Sequence, residues 1–295
     1  MIHVTTIPAT TYITKSKIPG AGYVINPYVG CPHKCLYCYA EFMRKFSGHK
    51  EAWGDFLDVK ICSTPLPVQK LFHQHVMLSS VTDPYNIFEK KYRLTRKIIQ
   101  ELLPCQPKLL ILTKSALVVR DIDLLSQFTD CEICFSFSTA CEETRLKLEP
   151  CTSTIEEKVA ALKTLHQAGL RTAVMIAPLL PGISNWKQIV QETAPYVNTF
   201  RFDSLNMKGT FQRRFMDFID VNYPHLLSLY HSIYSQQNTD YWDKLQQEIR
   251  QYAKQQQLDI EIFFGYGTSN AKQGQATAFT LEEDTSLEPS QPQLF

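Results

Sequence analysis

Gly30-Cys31-Pro32-His33-Lys34-Cys35-Leu36-Tyr37-Cys38-Tyr39 sets three cysteines at C-x3-C-x2-C, directly after an apolar run, Tyr23-Val24-Ile25-Asn26-Pro27-Tyr28-Val29, that reads as a strand. Thiolates this close converge on one centre only if the loop wraps around it. Three soft ligands held this way suit an iron–sulfur cluster or zinc better than a disulfide. Structural zinc wants a fourth Cys or His at finger spacing, and His33, between the ligands on so tight a loop, is badly placed to supply it. A four-iron cubane wants a ligand on each iron, so three cysteines leave one iron open to bind another molecule.

Outward from the loop, residues 40–46 have helical spacing of their apolar positions, and residues 47–60 read as loop running into a short strand. A buried strand follows at 75–81 and stops where Pro84 ends the pairing. From there the alternation is regular: helices over 87–103, 119–128, 155–168 and 186–197, strands over 108–114, 131–138, 171–177 and 199–205. Gly169 stands where a left-handed C-cap is expected. Strict β-then-α order demands parallel strands with right-handed crossovers. A doubly wound sheet and a barrel both fit that order, but the loops of interest follow strand C-termini, where barrels place their active sites. Six units are too few to close an eight-stranded barrel. The expected fold is α/β, a partial (β/α)6 TIM-type barrel over residues 21–208.

The flanks read differently. Residues 1–20 mix Thr, Lys and Pro with little periodicity, as an N-terminal arm would. Helical stretches at 211–235 and 240–256, rich in Gln, Tyr and charge, and an apolar strand at 260–264 make a C-terminal helical extension over 209–281. Residues 282–295 read as a disordered tail.

The totals narrow the setting. At 295 residues and 44% hydrophobic, the chain can bury a large core. Thirty Lys and Arg against 29 Asp and Glu produce no global field that advertises a polyanion, so any nucleic-acid contact must come from local basic patches. Those are Arg44-Lys45, Lys90-Lys91-Tyr92-Arg93, Arg96-Lys97 and Arg213-Arg214, mostly at solvent-face helical spacing where charge is usually just solvated. Nine cysteines, an odd number with no secretory signal, read as reduced thiols plus one metal site. No apolar run reaches membrane-spanning length, so no membrane partner is expected and the protein is expected to be cytoplasmic.

The cysteine spacing after the first strand of a β/α series resembles the radical S-adenosylmethionine (SAM) superfamily. The stretch from Asn26-Pro27-Tyr28-Val29 through Cys38-Tyr39-Ala40 is similar to the signature of its spore photoproduct lyase-like branch, and Leu148-Glu149-Pro150 and Ala177-Pro178-Leu179-Leu180-Pro181-Gly182 are similar to later motifs of that branch. Phe42-Met43-Arg44-Lys45-Phe46 and Trp53-Gly54-Asp55-Phe56-Leu57-Asp58-Val59-Lys60 most resemble the narrower group called radical SAM mobile pair protein B, encoded beside a second radical SAM protein. The likeness covers about residues 10–210. It implies a [4Fe-4S] cluster on Cys31, Cys35 and Cys38, whose open iron chelates S-adenosyl-L-methionine. One electron from the cluster then makes a 5′-deoxyadenosyl radical that abstracts hydrogen, with the protein supplying position and water exclusion. It also implies an electron donor such as flavodoxin or ferredoxin, a second radical SAM protein as partner, and nucleic acid as a substrate the branch admits. The rival readings are the same radical chemistry on a peptide or small metabolite, and a non-catalytic metal-binding module.

Within that resemblance, Tyr37 is the aromatic expected near the adenine, against ordinary packing. Tyr39 either relays hydrogen or lines the cavity. Ser79, Ser80, Thr82 and Asp83 follow the second strand, where the superfamily positions the amino group of SAM, although Asp before Pro is also a turn former. Alternation on the strand at 131–138 puts Glu132, Cys134, Ser136 and Ser138 on one face and Ile133, Phe135 and Phe137 on the other. The polar face should look into the barrel, which makes Ser136 and Ser138 candidates for ribose or carboxylate contact. Cys131 and Cys134 point to opposite faces and are structural, while Cys62, Cys105, Cys141 and Cys151 read as packed thiols. Arg145 and Glu149 hold the cofactor carboxylate or brace a loop, Pro178 begins an apolar rim for the adenine, and Asp203 and Asn206 face the substrate. One departure matters. Spore photoproduct lyases carry a cysteine soon after the second strand that returns hydrogen to the product radical, and Ser80 stands there. A hydroxyl is a far poorer hydrogen-atom donor, which argues against thymine-dimer repair; Cys141 is the alternative thiol.

Overall fold

The computed structural model describes residues 2–18 and 20–264. The strands among the described residues are β1 (His3–Ala9), β2 (Ile13–Lys15), β3 (Tyr23–Ile25), β4 (Tyr28–Val29), β5 (Phe56–Cys62), β6 (His75–Leu78), β7 (Lys108–Thr113), β8 (Cys131–Phe137), β9 (Arg171–Leu179), β10 (Thr199–Ser204) and β11 (Ile260–Ile262). The main sheet has the order β11-β10-β9-β8-β7-β6-β3-β2. Every neighbouring pair in it from β3 to β11 is parallel, and β2 alone runs antiparallel at the edge. The six expected strands are β3 and β6 to β10, in sequential order across one sheet whose two edges do not meet. This is the partial TIM-type barrel, extended by one strand at each edge.

The α-helices among the described residues are α1 (Glu89–Tyr92), α2 (Leu94–Leu102), α3 (Ile122–Leu125), α4 (Glu142–Leu148), α5 (Ile155–Gln167), α6 (Trp186–Thr193), α7 (Gln212–Asn222), α8 (Leu227–Tyr230) and α9 (Asp240–Gln256). The expected helix over 87–103 is two, because Arg93 sits at φ +49° and breaks the hydrogen-bonded ladder between α1 and α2. Helix α5 starts with a full capping box, Thr154 and Glu157 each satisfying the other's backbone N–H, and Gly169 takes the expected left-handed turn after it at φ +77°. Helix α4 has no counterpart in the expected alternation.

Side chains divide cleanly between the two faces of the sheet. Ile133, Phe135 and Phe137 of β8 join Val174, Ile176, Phe200 and Phe202 and the apolar stripes of α2, α5 and α6 in the main core. Burying a side chain of this size contributes about 1.5–3 kcal/mol. The opposite, concave face begins at its lower end with charge: Arg201 of β10 bonds Glu132 of β8 and, at 2.9 Å, Glu261 of β11. It continues through Ala21, Val24, Met77, Leu110 and Leu112 as a small separate apolar cluster.

The N-terminal arm is not irregular. Strand β1 pairs in parallel with β5, His3 opposite Phe56, and β4 closes the other side of β5 in a three-stranded sheet. Its alternation is masked because β1 is an edge strand with Thr and Pro on a partly exposed face. The functional consequence is that β5 runs directly under the cysteine loop. Gly30, at φ +87°, passes so close to Phe56 that a Cβ would drive into the Phe56 carbonyl oxygen. Gly30→Ala is therefore expected to cost about 3 kcal/mol, from left-handed strain and the backbone clash together, read as a lower urea midpoint with an unchanged m-value.

Candidate metal centre

The loop that carries Cys31, Cys35 and Cys38 leaves the top of the sheet after β4 and returns in a 3-10 helix, Tyr39–Phe46. Lys34, at φ +55°, makes the sharp turn between the first two cysteines. The loop is tied down on every side. Leu36 N–H donates to Leu148 O at 2.8 Å, Cys151 N–H to His33 O at 3.4 Å, and the Thr82 hydroxyl to Gly30 O at 2.6 Å. His33 is buried with Nδ1 3.4 Å from Asp83, so it serves the loop and not a metal. All three thiols are free and partly buried. Burial, reinforced by the Glu149 carboxylate, pushes the Cys35 thiol well above its ordinary value. Iron would have to displace those protons, as thiolate metal sites do.

Among the described residues, no three His, Cys, Asp or Glu side chains are gathered closely enough for one metal ion. Zinc draws its ligands to about 2.0–2.3 Å of a single centre, whereas a cubane spreads its thiolates over separate irons. Three loop thiols are the donor set that a cubane with one open iron would take.

Beside Cys35 lies a charged knot built around a fully buried carboxylate. Glu149, following α4, accepts the Tyr37 hydroxyl, stands 3.1 Å from Lys114 Nζ at the end of β7, and 3.6 Å from Lys158 Nζ of α5. Arg145 donates to the Glu149 backbone carbonyl at 2.8 Å, and the Ser138 hydroxyl lies beside the Glu149 carboxylate. Burial pushes the Glu149 carboxyl up, but Lys114, Lys158 and the Tyr37 hydroxyl outweigh it and hold it well below the carboxylate range. Burial presses the other way on Lys158, whose ammonium is pushed down to about 8 despite Glu149. Lys114 also donates to Ser136 Oγ at 2.6 Å and lies over the Tyr37 ring, 5.8 Å from its centroid.

The structure thus gathers Tyr37, Ser136, Ser138 and Glu149 around Cys35. It adds Lys114 and Lys158, which the sequence reading passed over. Lys158 was visible in outline: it falls on the stripe Ile155, Lys158, Leu162, Leu165 that α5 buries, and a lysine there needs a carboxylate. Asp83 is occupied otherwise. Its carboxylate accepts the Thr113 hydroxyl, Tyr85 N–H and Lys114 N–H, each at 2.8 Å, and so braces the turn after β6 against β7. Ser79 donates to Ile25 O at 3.1 Å, and Arg145 is spent on Glu142, Glu149 and Thr152. Tyr39 is exposed, its hydroxyl bonded to Ser80 O, and Pro178 is half-buried at the end of β9. Asp203 stands on the concave face of β10, where its Oδ1 is buried with no hydrogen-bond partner among the described residues and burial pushes the carboxyl up to about 7.

Helices α7 and α8 seal the other side of the loop. Phe211, Phe215, Ile219 and Tyr230 form a second core with Tyr37, Leu148 and Leu180, against which Cys35 and Leu36 pack. Arg214 of α7 bonds Leu36 O and Glu41, both at 3.1 Å, and Arg96 is held by Asp121 and Asp123. Two of the basic patches are therefore partly neutralised from within.

Comparison with known proteins gives a consistent result. The pattern of the Radical SAM superfamily matches residues 25–191. An uncharacterised protein of Methanocaldococcus jannaschii is 36% identical over 223 residues, 76% of this chain and 85% of that one. Among solved structures, a spore photoproduct lyase variant with bound AdoMet and dinucleoside spore photoproduct superposes with a TM-score of 0.54 at 18% identity, covering 75% of this chain and 66% of that one. Streptococcus suis SuiB bound to S-adenosylmethionine superposes at 0.51 and 9% identity, over 90% of this chain and 50% of that one. The chain thus spans just under two thirds of the lyase and half of SuiB.

The charged knot makes a direct prediction. Glu149→Gln leaves two buried ammonium groups without their carboxylate and is expected to cost about 3–5 kcal/mol. Adding Lys158→Met should restore part of it, measured by urea denaturation at neutral pH. Lys158 sets the pH response: its proton leaves at about 8 in the folded chain against an ordinary 10.5. The folded state binds fewer protons between those values, so this residue's contribution to stability rises with pH across that window.

Proposed function

The chain belongs to the radical SAM superfamily, and from that premise we propose that it is an enzyme that uses a [4Fe-4S] cluster on Cys31, Cys35 and Cys38 and S-adenosyl-L-methionine to abstract hydrogen from its substrate. The observation that carries this reading is the placement of three unpaired thiols on one braced loop, with a buried Lys114–Glu149–Lys158 knot and Ser136 beside Cys35. When bound, cluster and cofactor supply one electron and a 5′-deoxyadenosyl radical.

The chain's own residues supply the rest. Lys114 and Ser136 present an ammonium and a hydroxyl at the end of the sheet for the cofactor carboxylate, with Glu149 and Lys158 fixing Lys114 behind them. Tyr37 and Pro178 flank the adenine, and Thr82 and Ser79 hold the strand end that faces the amino group. Helices α7 and α8 exclude water from the Cys35 side, where a low-dielectric surrounding strengthens each of these interactions. Asp203 and Tyr39 face the substrate from the open side. A flavodoxin or ferredoxin delivers the electron.

The substrate class we favour is nucleic acid, supported by the dinucleoside held by the spore photoproduct lyase, in keeping with that branch's signature in residues 26–40. A peptide is the second reading, supported by SuiB, a fold neighbour that has been seen bound to its precursor peptide. A gel shift on single-stranded and duplex DNA separates them, because a phosphate-driven binder must weaken steeply between about 50 and 200 mM salt.

Anaerobic reconstitution tests the chemistry. The wild-type chain is expected to take up iron and, with dithionite, to convert S-adenosylmethionine to 5′-deoxyadenosine. Cys35→Ala should abolish that conversion and most of the iron. A Cys35→Ala protein that keeps full turnover would overthrow the ligand assignment.

A further inference from the structure

The segment 42–60 resembles the mobile pair group, yet neither the thiols nor the charged knot accounts for it. In the structure it clasps the cysteine loop from outside. Trp53 Nε1–H donates to Cys38 Sγ at 3.2 Å. Gly54, at φ +96°, has no room for a side chain, since a Cβ would lie 2.8 Å from Lys34 Cγ. Asp55 pairs with Lys34, and the Phe56 carbonyl is what forbids a Cβ at Gly30. The indole is fixed in turn. Trp53 meets Phe56 edge-on with centroids 5.7 Å apart, and Phe56 stacks on His49 at 4.0 Å. His49 is itself held by Asp58 at 2.9 Å and Glu51 at 3.2 Å.

An indole packed against a ring that is itself held in place keeps its one donor aimed at one sulfur. We infer that Trp53 is a positioning residue that raises the reduction potential of the iron–sulfur centre through Cys38; this rests on the reading that the three cysteines hold such a centre. The electron that reduces a cluster adds negative charge, much of it on its sulfurs. An N–H dipole aimed at a ligand sulfur stabilises the reduced state more than the oxidised one, and potentials in these centres are set partly by such hydrogen bonds. Packing alone would require the rings at 53 and 56 but would be indifferent to the indole N–H.

Trp53→Phe keeps an aromatic ring against Phe56 and deletes the donor, while Trp53→His returns an N–H. Each is reconstituted anaerobically beside wild type, assayed for iron, then titrated with EPR detection of the reduced cluster. We expect equal iron in all three. In Trp53→Phe the reduction equilibrium should shift about tenfold toward the oxidised form, a midpoint lower by 59 mV for one electron. Trp53→His should recover at least half of that shift. A fully loaded Trp53→Phe protein with the wild-type midpoint overturns the inference, as does loss of iron from both variants, which would make Trp53 a packing brace only. A wild-type chain that takes up no iron overturns the cluster reading itself, and the iron assay, read first, tells the two failures apart.

Discussion

A fully buried carboxylate holds the C-terminal end of this sheet together. Glu149 collects a lysine from the end of β7, a lysine from α5 and the tyrosine that stands between the second and third cysteines. A buried ion is costly unless its partners meet it in good geometry, and removing one leaves the others stranded. The position of Tyr37 relative to the sheet is therefore fixed by electrostatics from the end of β7, from α5 and from the turn after α4. The cysteine loop inherits that position, because Tyr37 lies inside it.

The second constraint is steric and acts from the opposite side. Gly30 and Gly54 are close backbone approaches, one against Phe56 and one against Lys34, and each forces the loop onto the three-stranded sheet built by β1, β4 and β5. The knot pins one side of the loop while the glycines and Trp53 clamp the other. The N-terminal strand, though far from the thiols in sequence, is what completes the clamp: β1 supplies the partner that keeps β5 in place.

Much of the fold was legible because the β/α alternation is a repeated signal. Six strands and their intervening helices each carry an apolar run or stripe of the right period, and Gly169 and the Thr154 capping box mark where a helix must end or begin. Edge strand β1 was not legible, because half its surface is exposed and its Thr-rich alternation is shallow. The thiols were legible from spacing alone. The knot was not: Lys114, Glu149 and Lys158 are each ordinary in local context, and only the fold brings them within 4 Å. Asp83 shows the converse. A carboxylate at a strand end is where a cofactor amine would be held, but turn geometry and the Thr113 hydroxyl had prior use of its oxygens.

Hydrogen-bond geometry also bears on the step that would follow the proposed hydrogen abstraction. Repair in the manner of a spore photoproduct lyase needs a thiol near the site to return a hydrogen atom. At that position the chain has Ser80, whose Oγ accepts from Asn26 at 3.3 Å while its carbonyl accepts the Tyr39 hydroxyl. An O–H bond gives up its hydrogen atom far less readily than S–H, and this hydroxyl is already part of a local hydrogen-bond network. Cys141, the alternative thiol after β8, is exposed at the start of α4, where the Thr144 side chain and backbone lower its pKa. On the proposed reading, the Ser80 hydroxyl is a poor source of the returning hydrogen atom, so a product radical would be resolved by another donor.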